Sequence, residues 1–154
     1  MRIYLVVMDE TEEAKTALRF ASVRARETGG SVHILALVPR QNFQAFGAVQ
    51  ATIEREAAER AEVMANAAAG NIFADSGKMP VIAVRTGSAN EVIGKYLEEH
   101  GNIAALVLGA AAYGSPGPLV THFASHAGAL PCPLYLIPGG LDNAAVDALA
   151  SRGA

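Results

Sequence analysis

The chain has 154 residues, of which 51% are hydrophobic, and a formal net charge of −3. This length suits a single domain over residues 1–154, with a core over about residues 1–140 and a short C-terminal helix and tail after it. The acidic balance argues against nucleic-acid binding, which needs a basic face, and no apolar run approaches the roughly 20 residues that cross a bilayer. The only cysteine, Cys132, excludes an internal disulfide and favours a reducing cytoplasm.

Strand-like apolar runs and helical patterns alternate along the chain. In chain order they predict a strand over Ile3–Met8, a helix from Thr11 to Gly29, a strand over Ser31–Val38, a connection over Pro39–Val49, a helix over Ala51–Ala69, a strand over Pro80–Val84, a helix from Ser88 to Gly101, a strand over Ile103–Leu108, a helix over Leu119–Ala129, a strand over Pro133–Ile137 and a short helix after Asp142. Thr11 offers a capping hydroxyl, and Ser88 and Glu91 have the spacing of a capping box. Gly70 is expected to end the second helix.

Five apolar strands separated by helices indicate an α/β fold. We expect a five-stranded, mainly parallel sheet with helices on both faces. In such a sheet, ligands bind beyond the carboxyl ends of the strands, at the place where the strand order reverses. The candidate binding residues are therefore those at the strand ends and in the loop after the fourth strand: Val7, Met8, Asp9, Leu37, Arg85, Leu108, Gly109, Gly114, Ser115, Gly117 and Thr121.

Asp9 is the carboxylate at the end of the first strand. It could accept hydrogen bonds from a base amino group or a ribose hydroxyl, or hold a divalent metal beside phosphates. The alternative is that Asp9 only caps the first helix, with Glu12 three residues further on.

The loop from Gly109 to Thr121 is rich in Gly, Ser and Pro. Gly109 would let the backbone approach a ligand closely, and the loop offers amide and hydroxyl donors to a phosphate. The alternative is a surface loop ordered by Pro116 and Pro118, which also remove two N–H groups. No Lys or Arg lies between Gly109 and Leu136, so a phosphate would depend on amides, a metal or Arg85.

Other residue types in this region have simpler interpretations. His122 and His126 share one helical face as a candidate metal pair, but no third ligand has supporting spacing, so solvent-facing or helix-terminal histidines and no metal site are expected. Cys132 is expected to be a small buried apolar residue, and whether it responds to oxidants is left open. Tyr113 is expected to cover the crevice, with stacking on a base as the alternative. The sequence contains no P-loop, no early G-x-G-x-x-G and no G-x-S-x-G elbow.

Four segments together resemble the universal stress protein family over nearly the whole chain: Val6–Ala14, Arg85–Ile93, Glu98–Gly109 and Pro131–Ile137. The resemblance implies a Rossmann-like fold of the adenine nucleotide alpha hydrolase type, with strand order 3-2-1-4-5. It also implies homodimers paired through the last strand. Some members of the family bind ATP through a G-x2-G-x9-G-S/T loop.

The resemblance also assigns roles to individual positions. Asp9 matches the family aspartate that contacts adenosine, and Leu37 matches an apolar position near the adenine. Gly109 matches the first glycine of the ATP-binding loop, and Thr121 matches the Ser or Thr at the end of that loop. The loop is degenerate here. Ala112 stands at the second glycine position with Gly114 two residues later, and Val120 precedes Thr121 where the family has glycine.

Three functional hypotheses follow. The first is a cytoplasmic stress-response regulator that acts as a dimer and binds ATP or AMP weakly, with Mg²⁺ as a possible companion. The second is a family member that works only through protein partners. The third is a slow ATPase in which Asp9 holds magnesium, for which no water-positioning residue is visible. An apolar fifth strand at a sheet edge predicts antiparallel pairing across a two-fold axis.

Overall fold

The computed structural model describes residues 1–40 and 47–152. In chain order its elements are β1 (Ile3–Met8), α1 (Glu12–Thr28), β2 (Ser31–Val38), α2 (Gly47–Ser76), β3 (Val81–Thr86), α3 (Ala89–Glu99), β4 (Ile103–Ala110), α4 (Pro118–Ser125), a 3₁₀ turn (Ala127–Ala129), β5 (Leu134–Pro138) and α5 (Asn143–Ser151). No helix in these ranges is both long and apolar enough to span a bilayer.

The five strands form one parallel sheet in the order β3-β2-β1-β4-β5. The expected fold class and strand order are therefore confirmed. The chain builds outward from β1 through β2 to β3 and then crosses to β4 and β5. The order reverses between β1 and β4, which places the end of β1 at the switch point of the sheet.

Two apolar layers cover the two faces of the sheet. Val6 of β1 belongs to a cluster formed with α1, α2 and α5, whereas its neighbour Leu5 belongs to the opposite cluster formed with α3 and α4. Both side chains have 0% exposure. Every residue of such a strand must be apolar, because successive side chains are buried on opposite faces of the sheet.

The start of α1 and the start of α5 follow the capping signals in the sequence. The Thr11 hydroxyl accepts a hydrogen bond from the Ala14 N–H at 3.3 Å, and the Asp142 carboxylate accepts one from the Ala145 N–H at 2.8 Å. Ser88 does occupy the N-cap position of α3, but its side chain makes no capping hydrogen bond. The capping box predicted there is therefore wrong in its hydrogen bonding, although the helix begins where expected.

The second helix is longer than predicted. Part of the predicted connection over 39–49 lies outside the described residues, and α2 already begins at Gly47. The prediction that Gly70 ends the helix is wrong. Gly70 lies on the exposed side of α2, while Ala65 and Ala69 are buried against the sheet. An interior glycine costs roughly 1 kcal/mol, which the buried face offsets. The helix ends instead before Gly77, which has a φ of 75°.

The fourth helix is shorter than predicted. α4 ends at Ser125, and residues 127–129 form a 3₁₀ turn. Ala127, four residues after the buried Phe123, is exposed. The last helical turn therefore leaves the core, and only Val120 and Phe123 of α4 are buried in it.

Candidate ligand-binding crevice

A cavity of about 530 Å³ opens beyond the carboxyl ends of β1 and β2. It lies between α2 on one side and the starts of α3 and α4 on the other. The lining residues are Met8, Asp9, Glu10, Thr11, Leu37, Val38, Pro39, Ala57, Arg60, Ala61, Met64, Gly87, Ser88, Ala89, Asn90, Pro118 and Leu119. A volume in this range is typical of small-molecule sites.

Asp9 has a structural partner and also faces the crevice. Its Oδ1 accepts hydrogen bonds from the Thr11 backbone N–H at 2.9 Å and from the Thr11 hydroxyl at 2.5 Å. Thr11 in turn caps α1. The alternative in which Asp9 itself caps α1 is therefore wrong, since Thr11 is the N-cap and Asp9 only holds Thr11 in place. The ligand role of Asp9 stays a prediction. The Asp9 Oδ2 accepts no hydrogen bond from the described residues and remains available to a ligand.

The rest of the crevice is mainly apolar. Leu37 at the end of β2 is half-buried, and Met64 and Ala61 project from the facing side of α2. Leu119 closes the wall on the α4 side. A flat aromatic ligand group can lie against these side chains while its polar edge reaches the Asp9 carboxylate.

A smaller cavity of about 140 Å³ adjoins the crevice beside β4. It shares Asp9, Thr11, Pro118 and Leu119 with the larger cavity and adds Glu13, Gly109 and Gly117, together with Val7, Ala14, Leu108, Pro116 and Val120. The sheet thus brings Asp9 and Gly109 to one cavity. Gly109 also packs directly on the backbone of α1 at Glu13, so close approach to a helix already explains this glycine.

Four predicted binding residues lie outside both cavities. The Arg85 side chain is exposed on β3, and its guanidinium donates to the Val84 carbonyl at 3.1 Å. Gly114 and Ser115 are exposed in the loop after β4, and the Thr121 hydroxyl donates to the Gly117 carbonyl at 3.0 Å. Tyr113 is 93% exposed and lines neither cavity, so the expectation that it covers the crevice is wrong. Tyr113, Gly114 and Ser115 thus face solvent from the loop after β4, while Arg85 and Thr121 are exposed on β3 and α4.

Arg60 is the cation among the lining residues that the sequence did not predict. The predicted cation, Arg85, lies near the end of β3, whereas Arg60 lies in the middle of α2. The signal was nevertheless present. Arg60 is three residues after Ala57 and four before Met64, so it shares a helix face with these two apolar residues.

The candidate metal and redox residues do not extend the site. The rings of His122 and His126 stack with centroids 4.4 Å apart, but no group of three or more metal-ligating side chains occurs within residues 1–40 and 47–152. Cys132 is half-buried against the α3–α4 core. Burial raises the pKa of its thiol, while a backbone hydrogen bond involving Leu106 opposes this shift.

A buried polar cluster lies toward the amino end of the sheet, away from the crevice. His33 of β2 is 8% exposed, and its Nδ1 is 2.8 Å from the Tyr96 hydroxyl of α3. The Tyr96 ring stacks on His100 with centroids 4.0 Å apart. Burial lowers the pKa of His33, and the neighbouring His100 lowers it further. Burial also raises the pKa of Tyr96.

Comparison with known proteins gives one consistent family. The model of the universal stress protein family matches residues 1–138. A search of curated proteins found no match. The solved structure of universal stress protein UspA from Lactobacillus plantarum has a TM-score of 0.77 and 20% identity, with 88% of this chain and 97% of that chain covered.

Two further similar structures hold nucleotides. A universal stress protein family protein from Arabidopsis thaliana was solved with AMP bound; it has a TM-score of 0.54 and 14% identity, covering 90% of this chain and 92% of its own. A universal stress protein in complex with cAMP has a TM-score of 0.56 and 14% identity, with 88% of this chain and 96% of that chain covered. At these identities the likeness shows a common fold.

Proposed function

Because this chain belongs to the universal stress protein family, we propose that it binds an adenine nucleotide in the crevice beyond β1 and β2. The observation that carries the proposal is the cavity of about 530 Å³ that Asp9 lines together with apolar side chains, while only one of the two Asp9 carboxylate oxygens is used by Thr11. AMP and cAMP in two proteins of the same fold support the choice of ligand.

The two walls of the cavity suit the two parts of a nucleoside. Leu37 and Met64 offer apolar contacts to a planar base, and the Asp9 carboxylate accepts from a ribose hydroxyl or a base amino group. Asp9 is held by Thr11, so little side-chain freedom is lost when a ligand binds.

Binding of ATP should be weak. The smaller cavity beside β4, where a phosphate chain was expected, has a volume of about 140 Å³ and is lined by Pro116 and Pro118. Proline has no N–H to donate. The carboxylates of Asp9 and Glu13 line the same cavity and repel phosphate, and a magnesium ion would be needed to offset them.

The proposal includes a dimeric, cytoplasmic role in stress response. β5 forms one edge of the sheet, and Leu136 on it is 40% exposed. A second β5 in antiparallel pairing would satisfy its open hydrogen-bonding groups and cover this side chain.

Isothermal titration with AMP, cAMP and ATP–Mg²⁺ tests the binding. In Asp9→Asn the amide oxygen still accepts from Thr11, so the fold is kept while the ligand-facing oxygen becomes a donor. We expect at least a ten-fold loss of affinity, equal to about 1.4 kcal/mol. Glu12→Gln, an acidic-to-neutral change on the exposed side of the same turn, is the matched control and should bind like the wild type.

A second candidate function is favoured by the prolines and Val120 of the smaller cavity. In that case the protein acts only through contacts with other proteins. The absence of both binding heat and a thermal shift at millimolar nucleotide would select this function, because a ligand that binds the folded state must stabilise it.

A further inference from the structure

The cations that line the crevice lie on the side opposite to the loop after β4, in which the sequence suggests a phosphate site. Among the residues that line the smaller cavity beside β4 there is no Lys or Arg. The larger cavity has one, Arg60. A third, open cavity adjoins the larger one at Pro39 and Gly87, and Arg40 and Lys95 line it. Carboxylates line all three cavities: Asp9 and Glu10 the larger one, Glu13 the smaller one and Glu91 the open one. The lining cations lie only toward α2 and β3, so an anionic ligand group meets a cation on that side alone.

Arg60 is in a position to use its charge on a ligand. Its side chain is exposed at the mouth of the cavity and forms no ion pair or hydrogen bond with the described residues. Ala57 and Met64 flank it on the same helix face and line the cavity with it, and Glu56 and Glu59 line an open groove that also includes Arg60. A planar guanidinium binds a phosphate through two parallel hydrogen bonds.

We propose that Arg60 recognises the anionic group of the crevice ligand, so that the site takes a nucleoside with a single phosphate, such as a monophosphate or a cyclic phosphate. This inference rests on the proposed adenine-nucleotide binding and specifies its ligand class. The phosphate points toward α2, and the loop after β4 does not hold it.

The charge balance of the cavity sets the limit of one phosphate. Its lining contains the carboxylates of Asp9 and Glu10 and the guanidinium of Arg60. Two carboxylates accompany one guanidinium, so the lining carries a net charge of −1 and favours the ligand with the fewest phosphates that still reaches Arg60. Each additional phosphate brings further negative charge to a site whose lining holds no other cation, and an uncompensated charge in a partly desolvated site is costly.

The test compares adenosine, AMP and ATP–Mg²⁺ by isothermal titration on three variants. Arg60→Ala removes the proposed contact. Arg55→Ala is the matched control, because Arg55 is an exposed arginine on the same helix that lines none of these cavities. Arg85→Ala tests the cation that the sequence suggested. All three residues are exposed, so thermal melting should be nearly unchanged in each variant.

We expect the wild type to prefer AMP to adenosine and to ATP–Mg²⁺. Arg60→Ala should lose about ten-fold or more of its AMP affinity, with the adenosine affinity kept within about two-fold, since only the charged hydrogen bonds are removed. Arg55→Ala and Arg85→Ala should bind AMP like the wild type. The AMP affinity of the wild type should also fall with added salt, and that of Arg60→Ala should fall less.

The possible failures are distinguishable. If AMP binds and Arg60→Ala changes nothing, or weakens adenosine as much as AMP, the role of Arg60 is wrong while the nucleotide site stands. Tighter binding of ATP–Mg²⁺ than of AMP overturns the single-phosphate class. If the wild type binds neither adenosine nor any nucleotide, the proposed function and this inference fall together.

Discussion

A methyl group built on Gly109 would lie 2.0 Å from the carbonyl oxygen of Glu13. The end of β4 therefore touches the backbone of the first turn of α1. Gly139, just after β5, makes a similar approach, since a methyl group there would be 2.9 Å from the Glu13 Cβ. The start of α1 rests on two glycines, and this contact fixes the position of Thr11 and Asp9 above the sheet.

Gly109→Ala should destabilise the protein strongly. The clash is with backbone atoms that cannot rotate away, so either α1 or β4 must shift, at a cost of about 3 kcal/mol. Urea unfolding measures the change. Gly70→Ala is the matched control. Gly70 is helical with no atom within 4 Å of an added methyl group, and the variant should be about 0.5–1 kcal/mol more stable than wild type. Equal stability of the two variants would show that the β4–α1 contact is not tight.

Thr11→Val should cost about 1 kcal/mol of stability, because the cap on the Ala14 N–H and the hydroxyl donor to Asp9 are lost together. The change should also lower AMP affinity, since Asp9 is then held only by the Thr11 backbone N–H. Thr11→Ser keeps the hydroxyl and should retain both properties. Chemical denaturation and calorimetry report the two effects separately. A Thr11→Val protein with unchanged nucleotide affinity would contradict the positioning role of Thr11.

The His33 cluster makes stability depend on pH. The pKa of His33 in the folded protein lies below its ordinary value of 6.5, so the unfolded chain binds the proton more tightly. Its contribution is complete above pH 6.5 and is lost as the pH falls from 6.5 toward the folded pKa. His100, Tyr96, Arg85 and Glu99 are the titratable and charged groups that act on this pair.

His33→Gln keeps a hydrogen-bonding side chain next to Tyr96 but removes the titration. The free energy of unfolding, measured by urea titration between pH 8 and pH 5, should fall less steeply in this variant than in the wild type. Parallel curves for the two proteins would show that His33 does not cause the dependence.

The oligomeric state of variants on the two edge strands tests whether β5 forms the dimer interface. We expect the wild type to scatter light as a dimer and Leu136→Lys to be a monomer, because a charge placed on β5 cannot be covered by a second copy. Val81→Lys is the matched control, since Val81 is 49% exposed on β3 at the other edge. It should remain a dimer. A dimer that survives Leu136→Lys but not Val81→Lys would place the interface at β3.

Much of the fold follows from local patterns in the sequence. The apolar runs Ile3–Met8 and Ser31–Val38 became strands with those bounds, and the caps at Thr11 and Asp142 formed as predicted. These features depend on hydrophobic periodicity and on side chains that bond to backbone within three residues, and both can be read along the chain.

The contacts between distant segments could not be derived in this way. The sequence predicts that Gly109 lets a ligand approach the backbone. In the structure, the space next to its Cα is occupied by the backbone of Glu13, which is 96 residues away in the sequence. The position of Arg60 at the cavity and the hydrogen bond between His33 and Tyr96 both depend on the strand order and on how the helices pack on the sheet. The amino-acid pattern determines which residues must be buried, because burial follows a local period. Which polar groups then face one another depends on packing across the sheet, and no local period encodes that packing.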